Sequence, residues 1–389
     1  MIILKETGKI PVFLVLLSGV NFEILLNKLD FSKVELMGVI SETTDIQIKM
    51  PDGREVVVGS FADLDAFLQY ADQDIYWVLY GIKRNLQDIT KMSQALQAGG
   101  VRKEFIIGYL MLWNMLYWAN MKYVKQTAID CFATGISYAE VGLDLDCLPS
   151  WHGVNLAASS QDLYYGMKTA EYALGHDKDH RIKFCLIGLS PYSFLYDMAY
   201  SFAARPFCYQ YAVVFQEFRK DHPQATFFEN ALKPSWKQYF EQFSFSPDEV
   251  DIHLSKNRQN LRQDINAQDL IDFNMILKEV SGKYNADVLA RNIDHMKAYV
   301  ALCHEHHVVP IAFVLPFTKL LRRSYPADRL DLFRSILSFF RQTSGLHVID
   351  LFDLELDYSH YYDLTHLNQK GATVASEIIN ERVESILNE

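Results

Sequence analysis

The sequence has no apolar run long enough to span a membrane, although two stretches approach that length. The run Pro11–Val20 follows two lysines, as in a signal peptide, but no small-residue cleavage site follows it, so we interpret it as a buried first strand. The aromatic-rich stretch 108–126 is interrupted by Asn114 and Asn120, which favours packing between domains or against a second subunit. We therefore predict a cytoplasmic protein without a transmembrane segment; peripheral membrane contact and a homo-oligomer stay open.

Charge and cysteine and histidine spacing argue against nucleic-acid binding, paired cysteines and a metal site. The 37 Lys and Arg residues are outnumbered by 48 Asp and Glu, and the net charge of -11 argues against a nucleic-acid partner. The five cysteines form no CxxC pair, which indicates free thiols in a reducing compartment. His304, His306 and His307 crowd together where a helix is predicted to end, and cations favour that position, so we predict no metal there.

A chain of 389 residues, half of them hydrophobic, exceeds one typical domain and predicts two. Short apolar runs alternate with helical patterns in both halves, which is typical of α/β folds with parallel sheets. The first half has predicted strands at Pro11–Leu17, Glu35–Ile40, Glu55–Val58, Ile75–Tyr80 and Phe105–Ile107, with helices at Phe22–Leu29, Ala62–Tyr70 and Leu86–Ala98. The second half has predicted strands at Thr127–Phe132, Gly153–Ala157, Arg181–Leu189, Val308–Leu315 and Leu346–Phe352.

The change of pattern along the chain predicts the domain boundaries. Residues 1–108 form the first α/β domain, 109–126 a connecting helix, and 127–389 a second α/β domain with a helical insertion at about 198–286. Between Phe202 and Phe245 there are 13 aromatic residues in 44, about twice the chain average of 13%. Such a segment either covers a binding site as a lid or, more simply, packs a helical subdomain.

The order of elements in the first half carries a resemblance. A strand, a helix ending in "LLNKL", the strand "ELMGVIS" and then "DGREVVVGSFADL" are similar to the Rossmann-like N-terminal module of bacterial sugar acyltransferases and related surface-polysaccharide proteins. The first turn, "LLSGVNFEIL", contains Gly19 alone and lacks the GxGxxG fingerprint. A degenerate Rossmann-like domain with a scaffold or docking role is therefore as well supported as one that binds a nucleotide.

Near the C-terminus, "YDLTHLNQKGA" sets Asp363 three residues before His366, and Asn368 is placed to cap the last helix. An aspartate one turn from a histidine can accept a hydrogen bond from one ring nitrogen and leave the other free as a base. Taken alone the motif is weak, because such pairs also arise by chance or as helix caps.

A candidate nucleophile lies in "AIDCFATGISYAEVG", where an apolar strand ends in Thr134-Gly135 and Ser137 begins a helix. One interpretation is structural, since Ser137 and Glu140 match an S-x-x-E capping box. The other is chemical, since a hydroxyl at a helix start profits from nearby backbone N–H groups. One position can serve both roles.

The order Ser137, Asp363, His366 resembles the SGNH, or GDSL-type, hydrolase family, over roughly residues 127–389. It is most similar to the branch that includes the D-alanyl transfer protein of teichoic acids and alginate-type O-acetylation proteins. The resemblance implies a flavodoxin-like fold with a five-stranded parallel sheet and a catalytic triad of these three residues. It also implies oxyanion donors at Ser160 and Ser190. Gly135 and Asn155 would be supporting residues.

The family motifs are altered in three places. The acidic residue of Gly-Asp-Ser-Leu is Ile136, the donor glycine is Ser160, and the asparagine of the third block is Ser190. Losing an oxyanion donor typically lowers turnover by about 100- to 1,000-fold. The resemblance thus implies a cofactor-free, serine-dependent O-acyl esterase or acyltransferase. Its substrate would be a small-molecule or glycan ester, namely a bacterial cell-surface carbohydrate or its precursor. The alternative is a non-catalytic protein that binds a glycan or a partner of polysaccharide biosynthesis.

Overall fold

The computed structural model divides the chain into two compact units, each built on a five-stranded parallel sheet. The first unit comprises Met1–Trp113 with Phe202–Phe243, and the second comprises Asn114–Ser201 with Ser244–Glu389. The structure describes residues 8–17, 29–41, 56, 58–81, 86–102, 105–110, 115–201, 208–219, 225–232, 238–242 and 285–389. The predicted α/β class with parallel sheets is confirmed.

The sheet of the first unit has the strand order β3-β2-β1-β4-β5. Its strands are β1 (Ile10–Leu16), β2 (Val34–Ser41), β3 (Val58–Ser60), β4 (Tyr76–Gly81) and β5 (Ile106–Leu110). The helices α1 (Leu64–Leu68) and α2 (Leu86–Ala98) follow β3 and β4, and a 3₁₀ turn at Phe61–Asp63 precedes α1. The apolar runs form strands because both faces of a parallel sheet are covered. On one face the ring centres of Phe13 and Trp77 lie 4.7 Å apart.

The sheet of the second unit has the order β10-β9-β8-β6-β7. Its strands are β6 (Cys131–Gly135), β7 (Gly153–Asn155), β8 (Phe184–Leu189), β9 (Val309–Val314) and β10 (His347–Asp350). After α2 the helices are α3 (Met115–Gln126), α4 (Ser137–Gly142), α5 (Leu163–His176), α6 (Cys208–Phe215), α7 (Ala225–Ala231), α8 (Tyr239–Gln242), α9 (Ala286–Glu305), α10 (Lys319–Ser324), α11 (Ala327–Thr343) and α12 (Gln369–Leu387). Short 3₁₀ turns lie at Leu145–Cys147, Ser193–Leu195 and Tyr358–His360.

The aromatic segment 202–243 groups with the first unit, whereas the sequence placed it inside an insertion of the second domain. Its helix α7 packs on the first sheet: the ring of Phe227 lies 4.8 Å from that of Tyr76 in β4. The N–H of Asp30 donates to the carbonyl of Ala231 over 2.8 Å. In this part of the segment Phe227 packs against the sheet of the first unit, whereas the simpler interpretation predicted a helical subdomain. Residues 243–284 lie outside the described residues.

Two predicted boundaries also differ from the structure. The predicted connecting helix 109–126 begins inside β5, and the helix found there, α3, starts only at Met115 and belongs to the second unit. The strand predicted at Thr127–Phe132 is Cys131–Gly135 instead. The N–H of Thr127 still donates to the carbonyl of Tyr123 at the end of α3, so the strand begins later than predicted. Pairing with β8 then extends it to Gly135.

The remaining predictions agree more closely. The strands β7, β8, β9 and β10 each lie within their predicted range, and α2 has the predicted bounds. The predicted strand at Glu55–Val58 falls largely outside the described residues, and β3 begins at Val58. The helix predicted at Phe22–Leu29 and the first turn with Gly19 also lie outside them, apart from Leu29, which bridges to Leu232.

Two glycines let β6 and β8 approach closely at their carboxyl ends. Gly135 pairs with Gly188, and its φ of +140° is a backbone conformation that side chains rarely adopt. A Cβ on Gly135 would lie 2.6 Å from the carbonyl oxygen of Gly188, and a Cβ on Gly188 would lie 2.4 Å from the Cβ of Ala139 in α4. Because neither residue has a side chain, the start of α4 can pack directly against the two strands.

We expect Gly135→Ala to lower the free energy of unfolding by about 1–3 kcal/mol, because the new Cβ meets backbone atoms and the φ is strained. Gly175→Ala in α5 is the matched control: its Cβ would have no neighbour within 4 Å, and alanine favours a helix. Urea unfolding of both variants measures the difference. Equal stabilities would contradict the close approach of the two strands.

Candidate functional site

Ser137 lies at the carboxyl edge of the second sheet, directly after β6. The sheet order reverses at this strand, because β7 pairs with one side of β6 and β8 with the other. In open parallel sheets such a reversal leaves a crevice at the carboxyl ends of the strands, where ligands bind. Ser137 follows β6 and Ser190 follows β8, so both lie at this edge.

The hydroxyl of Ser137 does not cap its helix. Ile136 is the N-cap of α4, no side chain caps it, and Ser137 is the first helical residue. The carboxylate of Glu140 accepts a 2.6 Å hydrogen bond from Ser159 instead of reaching back to the helix start. The capping-box interpretation is therefore wrong, and the hydroxyl of Ser137 is available for another partner.

Asn155, at the end of β7, holds the other end of α4. Its amide group donates to the carbonyl oxygens of Ala139 at 2.9 Å and of Leu143, the C-cap of α4, at 3.2 Å. Its side-chain oxygen accepts from the N–H of Ala157 at 3.0 Å. Asn155 is thus a supporting residue that orients the helix carrying Ser137.

The loop that carries His366 is fixed at several points. Tyr361 and Leu367 form an antiparallel bridge, and the N–H of Tyr362 donates to the carbonyl of His366 over 2.8 Å. The hydroxyl of Thr318, after β9, donates to the carbonyl of Leu364 at 3.0 Å. These contacts tie the turn to the strand ends.

The predicted cap at Asn368 is confirmed. Its side-chain oxygen accepts from the N–H of Gly371 at 3.2 Å as α12 begins. A Cβ on Gly371 would lie 2.2 Å from the carbonyl oxygen of His360, so only glycine fits there. Ala375, Ile379 and Val383 are buried and form the apolar face of this helix.

Ser137, His366 and Asp363 are joined by two short hydrogen bonds. The Oγ of Ser137 lies 2.8 Å from Nε2 of His366, and Nδ1 of His366 lies 2.8 Å from Oδ2 of Asp363. The second oxygen of Asp363 accepts the N–H groups of Thr365 and His366, each at 2.8 Å. The ring of Tyr138 packs 4.8 Å from the imidazole.

The Asp363 carboxyl is held in its ionised form. Burial raises its pKa, but the hydrogen bond and charge of His366, with the N–H groups of Thr365 and His366, outweigh burial and hold the pKa well below its usual value. An ionised carboxylate only accepts hydrogen bonds, so Nδ1 of His366 carries the proton and Nε2 faces Ser137 with its lone pair.

The two predicted oxyanion residues have different surroundings. Ser160 adopts a φ of +64°, a conformation that favours glycine, and its carbonyl accepts from the hydroxyl of Tyr196 at 3.0 Å. Ser190 is 1% exposed; its N–H donates to Ser193 Oγ at 2.9 Å, and its hydroxyl lies 3.3 Å from the same oxygen. The Ser190 side chain is therefore held by neighbours on its own loop.

Three residues beside the site were not predicted from the sequence. Thr365, Tyr138 and Tyr192 are buried, and the hydroxyl of Tyr192 donates to that of Tyr138 at 3.0 Å. Thr365 lies inside the D-L-T-H motif and Tyr138 directly follows Ser137, so their neighbours in sequence were the available signal. Nothing in the sequence connects Tyr192 with them.

The described residues offer no other obvious chemistry. They contain no group of three or more His, Cys, Asp or Glu side chains arranged to hold a metal ion. Nε2 of His304 donates to the carbonyl of Ser344 at 2.8 Å, consistent with a structural role. All five cysteines are free. None of the helices that the structure describes has the length and apolar character needed to cross a membrane.

No protein-family model matches the chain, and no curated protein matches its sequence.

We expect the stability difference between wild type and Asp363→Asn to depend on pH. Because the pKa of Asp363 is lower in the folded chain than its ordinary value of 3.8, its ionised form stabilises the fold fully above about pH 4. That stabilisation is lost as the pH falls towards the folded-state pKa. Urea unfolding at several pH values measures it; a difference that grows towards low pH would contradict the assignment.

Proposed function

We propose that this protein is a serine-dependent O-acyl esterase or acyltransferase. The observation that carries the proposal is the pair of 2.8 Å hydrogen bonds that link Ser137 to His366 and His366 to Asp363. A hydroxyl, an imidazole and an ionised carboxylate in this order form the constellation used for nucleophilic acyl transfer. Their position at the reversal of the sheet order is where α/β folds bind ligands.

In the proposed reaction, Nε2 of His366 accepts the hydroxyl proton as Ser137 Oγ bonds to the ester carbonyl carbon. The resulting imidazolium is stabilised by Asp363. It then returns the proton to the departing alcohol as the C–O bond of the ester breaks, leaving an acyl group on Ser137. Water or a second alcohol, deprotonated by His366, attacks this ester and releases the acid or the new ester. The sequence of steps requires no cofactor.

We assign the oxyanion to the backbone N–H groups of Ser137 and Ser160. The first N–H of a helix has no partner within that helix, and the N–H of Ser160 donates to none of the described residues. The glycine-like backbone of Ser160 supports this role, because the resembling family has its donor glycine there. Ser190, whose hydroxyl lies 3.3 Å from that of Ser193, is left out of the assignment.

The proposed substrate is an acyl ester of a bacterial cell-surface carbohydrate or its precursor, as the SGNH resemblance implies. The strand orders support that resemblance. Counted within each sheet they are 3-2-1-4-5 and 2-1-3-4-5, the orders of Rossmann-like and flavodoxin-like folds. The first unit is proposed as the degenerate Rossmann-like module, and the second as the SGNH-like domain.

A fluorophosphonate probe tests the nucleophile. An activated Ser137 displaces fluoride and keeps the phosphonyl group, so we expect labelling of wild type and none of Ser137→Ala. His366→Ala should slow labelling by about 100- to 10,000-fold through loss of the general base. Ser335→Ala, which changes an exposed serine of α11, is the control. Labelling should persist in Ser190→Ala.

The same experiment distinguishes the proposed enzyme from a non-catalytic binding protein. Folded wild-type protein that takes no label would favour a glycan- or partner-binding role. If the enzyme is confirmed, acetylated sugars supplied with and without acceptor alcohols distinguish hydrolysis from transfer, because both pass through the same acyl-serine. New ester in the presence of acceptor identifies a transferase, and free acetate alone identifies an esterase.

A further inference from the structure

We propose that the turn carrying Ser160 is clamped to the segment carrying Ser137, so that the N–H groups of both residues stay at the separation that an oxyanion needs. Three hydrogen bonds form this clamp, and Gln161, Glu140 and Ser159 supply the side chains. These three are positioning residues, and their role rests on the proposed function.

Ser160 lies in a tight turn. The N–H of Gln161 donates to the carbonyl of Ala158 at 2.9 Å, which closes a β-turn. The two central residues are Ser159 and Ser160, and only Ser160 has a positive φ, at +64°. This is the type II form, whose third residue is usually glycine. The turn uses the N–H of its fourth residue, so the N–H of Ser160 is left for another acceptor, and its position depends on what anchors the turn.

Both polar groups of the Gly135 backbone bind to this turn. The carbonyl of Gly135 accepts from the N–H of Ala158 at 3.0 Å, and its N–H donates to the side-chain oxygen of Gln161 at 2.7 Å. Gln161 is 3% exposed, and its amide group also donates to the carbonyl of Leu156 at 3.2 Å. Because Gly135 is two residues before Ser137, these bonds fix the segment just ahead of the nucleophile.

Glu140 and Ser159 supply the third bond of the clamp. The Oγ of Ser159 donates to Oε2 of Glu140 at 2.6 Å. Glu140 lies in α4, about one helical turn after Ser137, so the clamp holds the segment both before and after the nucleophile. The acid that the capping-box pattern assigned to the helix start is thus bonded to the turn of Ser160.

The loop after β8 anchors the same turn. The hydroxyl of Tyr196 donates to the carbonyl of Ser160 at 3.0 Å, and the amide of Asn292 donates to the carbonyl of Tyr196 at 2.8 Å. Next to the turn, Asp162 accepts from the N–H of Met198 at 2.9 Å. Tyr196, Asn292 and Asp162 are at most 5% exposed, so water cannot readily replace these bonds.

The clamp matters because both donors must reach one oxygen atom. A donor stabilises an oxyanion at about 2.7–3.1 Å, and a displacement of about 1 Å can lower a rate by about 100-fold. The pairing of β6 with β7 ends at Ala133 and Asn155, before either donor is reached. Beyond that point the clamp sets the separation of the two donors.

Two variants weaken the clamp. Gln161→Met removes the acceptor of the Gly135 N–H, and Ser159→Ala removes the donor to Glu140. Glu140→Gln is the conservative variant, because its amide oxygen can still accept from Ser159.

Asp130→Ala is the matched control, because it also removes a side-chain acceptor of a backbone N–H. Asp130 directly precedes β6, at the end of the strand opposite to Ser137, and accepts from the N–H of His152 at 3.0 Å. We expect this variant to be less stable to urea but to label with fluorophosphonate at the wild-type rate.

We expect the maximal rate of fluorophosphonate labelling to fall by about 10- to 100-fold in Gln161→Met and by about 3- to 10-fold in Ser159→Ala. Glu140→Gln should label within about twofold of wild type. Probe affinity should not change in any of them. The pH at which the rate is half-maximal should also stay constant, because neither His366 nor Asp363 is altered.

NMR of the full-length protein tests the clamp without catalysis. In protein labelled with a nitrogen isotope on serine, the amide peaks of Ser137 and Ser160 are identified by their absence in Ser137→Ala and Ser160→Ala. We expect Gln161→Met to shift both peaks, and Ser159→Ala to shift that of Ser137, which lies in the other segment. Asp130→Ala should shift neither.

Unshifted peaks in both clamp variants would overturn the clamp. Labelling at the wild-type rate in both, equal slowing in Asp130→Ala, or a shifted pH midpoint would overturn its role in placing the oxyanion donors. Absence of labelling in wild type would instead overturn the proposed function, and the peak shifts alone would then decide whether the clamp exists.

Discussion

The close contact between β6 and β8 is the constraint on which the candidate site depends. Gly135 and Gly188 lie opposite each other, and neither could carry a Cβ without meeting backbone or the side chain of Ala139. That contact allows α4 to begin immediately after the strand, with Ser137 as its first residue. Asn155 holds the far end of the same helix. The position of one hydroxyl is therefore set by backbone packing.

The partner of that hydroxyl comes from 229 residues further along the chain. Hydrogen bonds from Thr318 and the cap at Asn368 fix the loop on which it lies, and the low pKa of Asp363 keeps a negative charge beside the imidazole. The site thus joins two fixed parts of the second unit. One is the start of α4, which packs on the sheet, and the other is the loop of His366, which is bonded to residues next to β9 and α12. Such preorganisation is what acyl transfer requires, since little reorganisation is left for the reaction itself.

Local patterns predicted a good part of this arrangement. Apolar runs and turn residues located most strands, and the spacing of Asp363, His366 and Asn368 predicted the loop and its cap. Strand order and the grouping of segment 202–243 with the first unit depend on contacts distant in sequence, such as the rings of Phe227 and Tyr76. Ser190 was interpreted by its place in a motif, whereas the contact of its hydroxyl with Ser193 arises only in the folded loop. The capping-box prediction was wrong because α4 begins one residue earlier, after Ile136, and the carboxylate of Glu140 accepts a hydrogen bond from Ser159.

We propose that Ser137 forms a covalent acyl intermediate with the help of His366. This intermediate can be trapped by mixing the full-length protein with a chromogenic acetyl ester, quenching in acid and mapping the acetylated peptide by mass spectrometry. We expect one acetyl group per chain, on Ser137, and none in His366→Ala. Acetylation at another residue, or at Ser137 equally in wild type and His366→Ala, would contradict it.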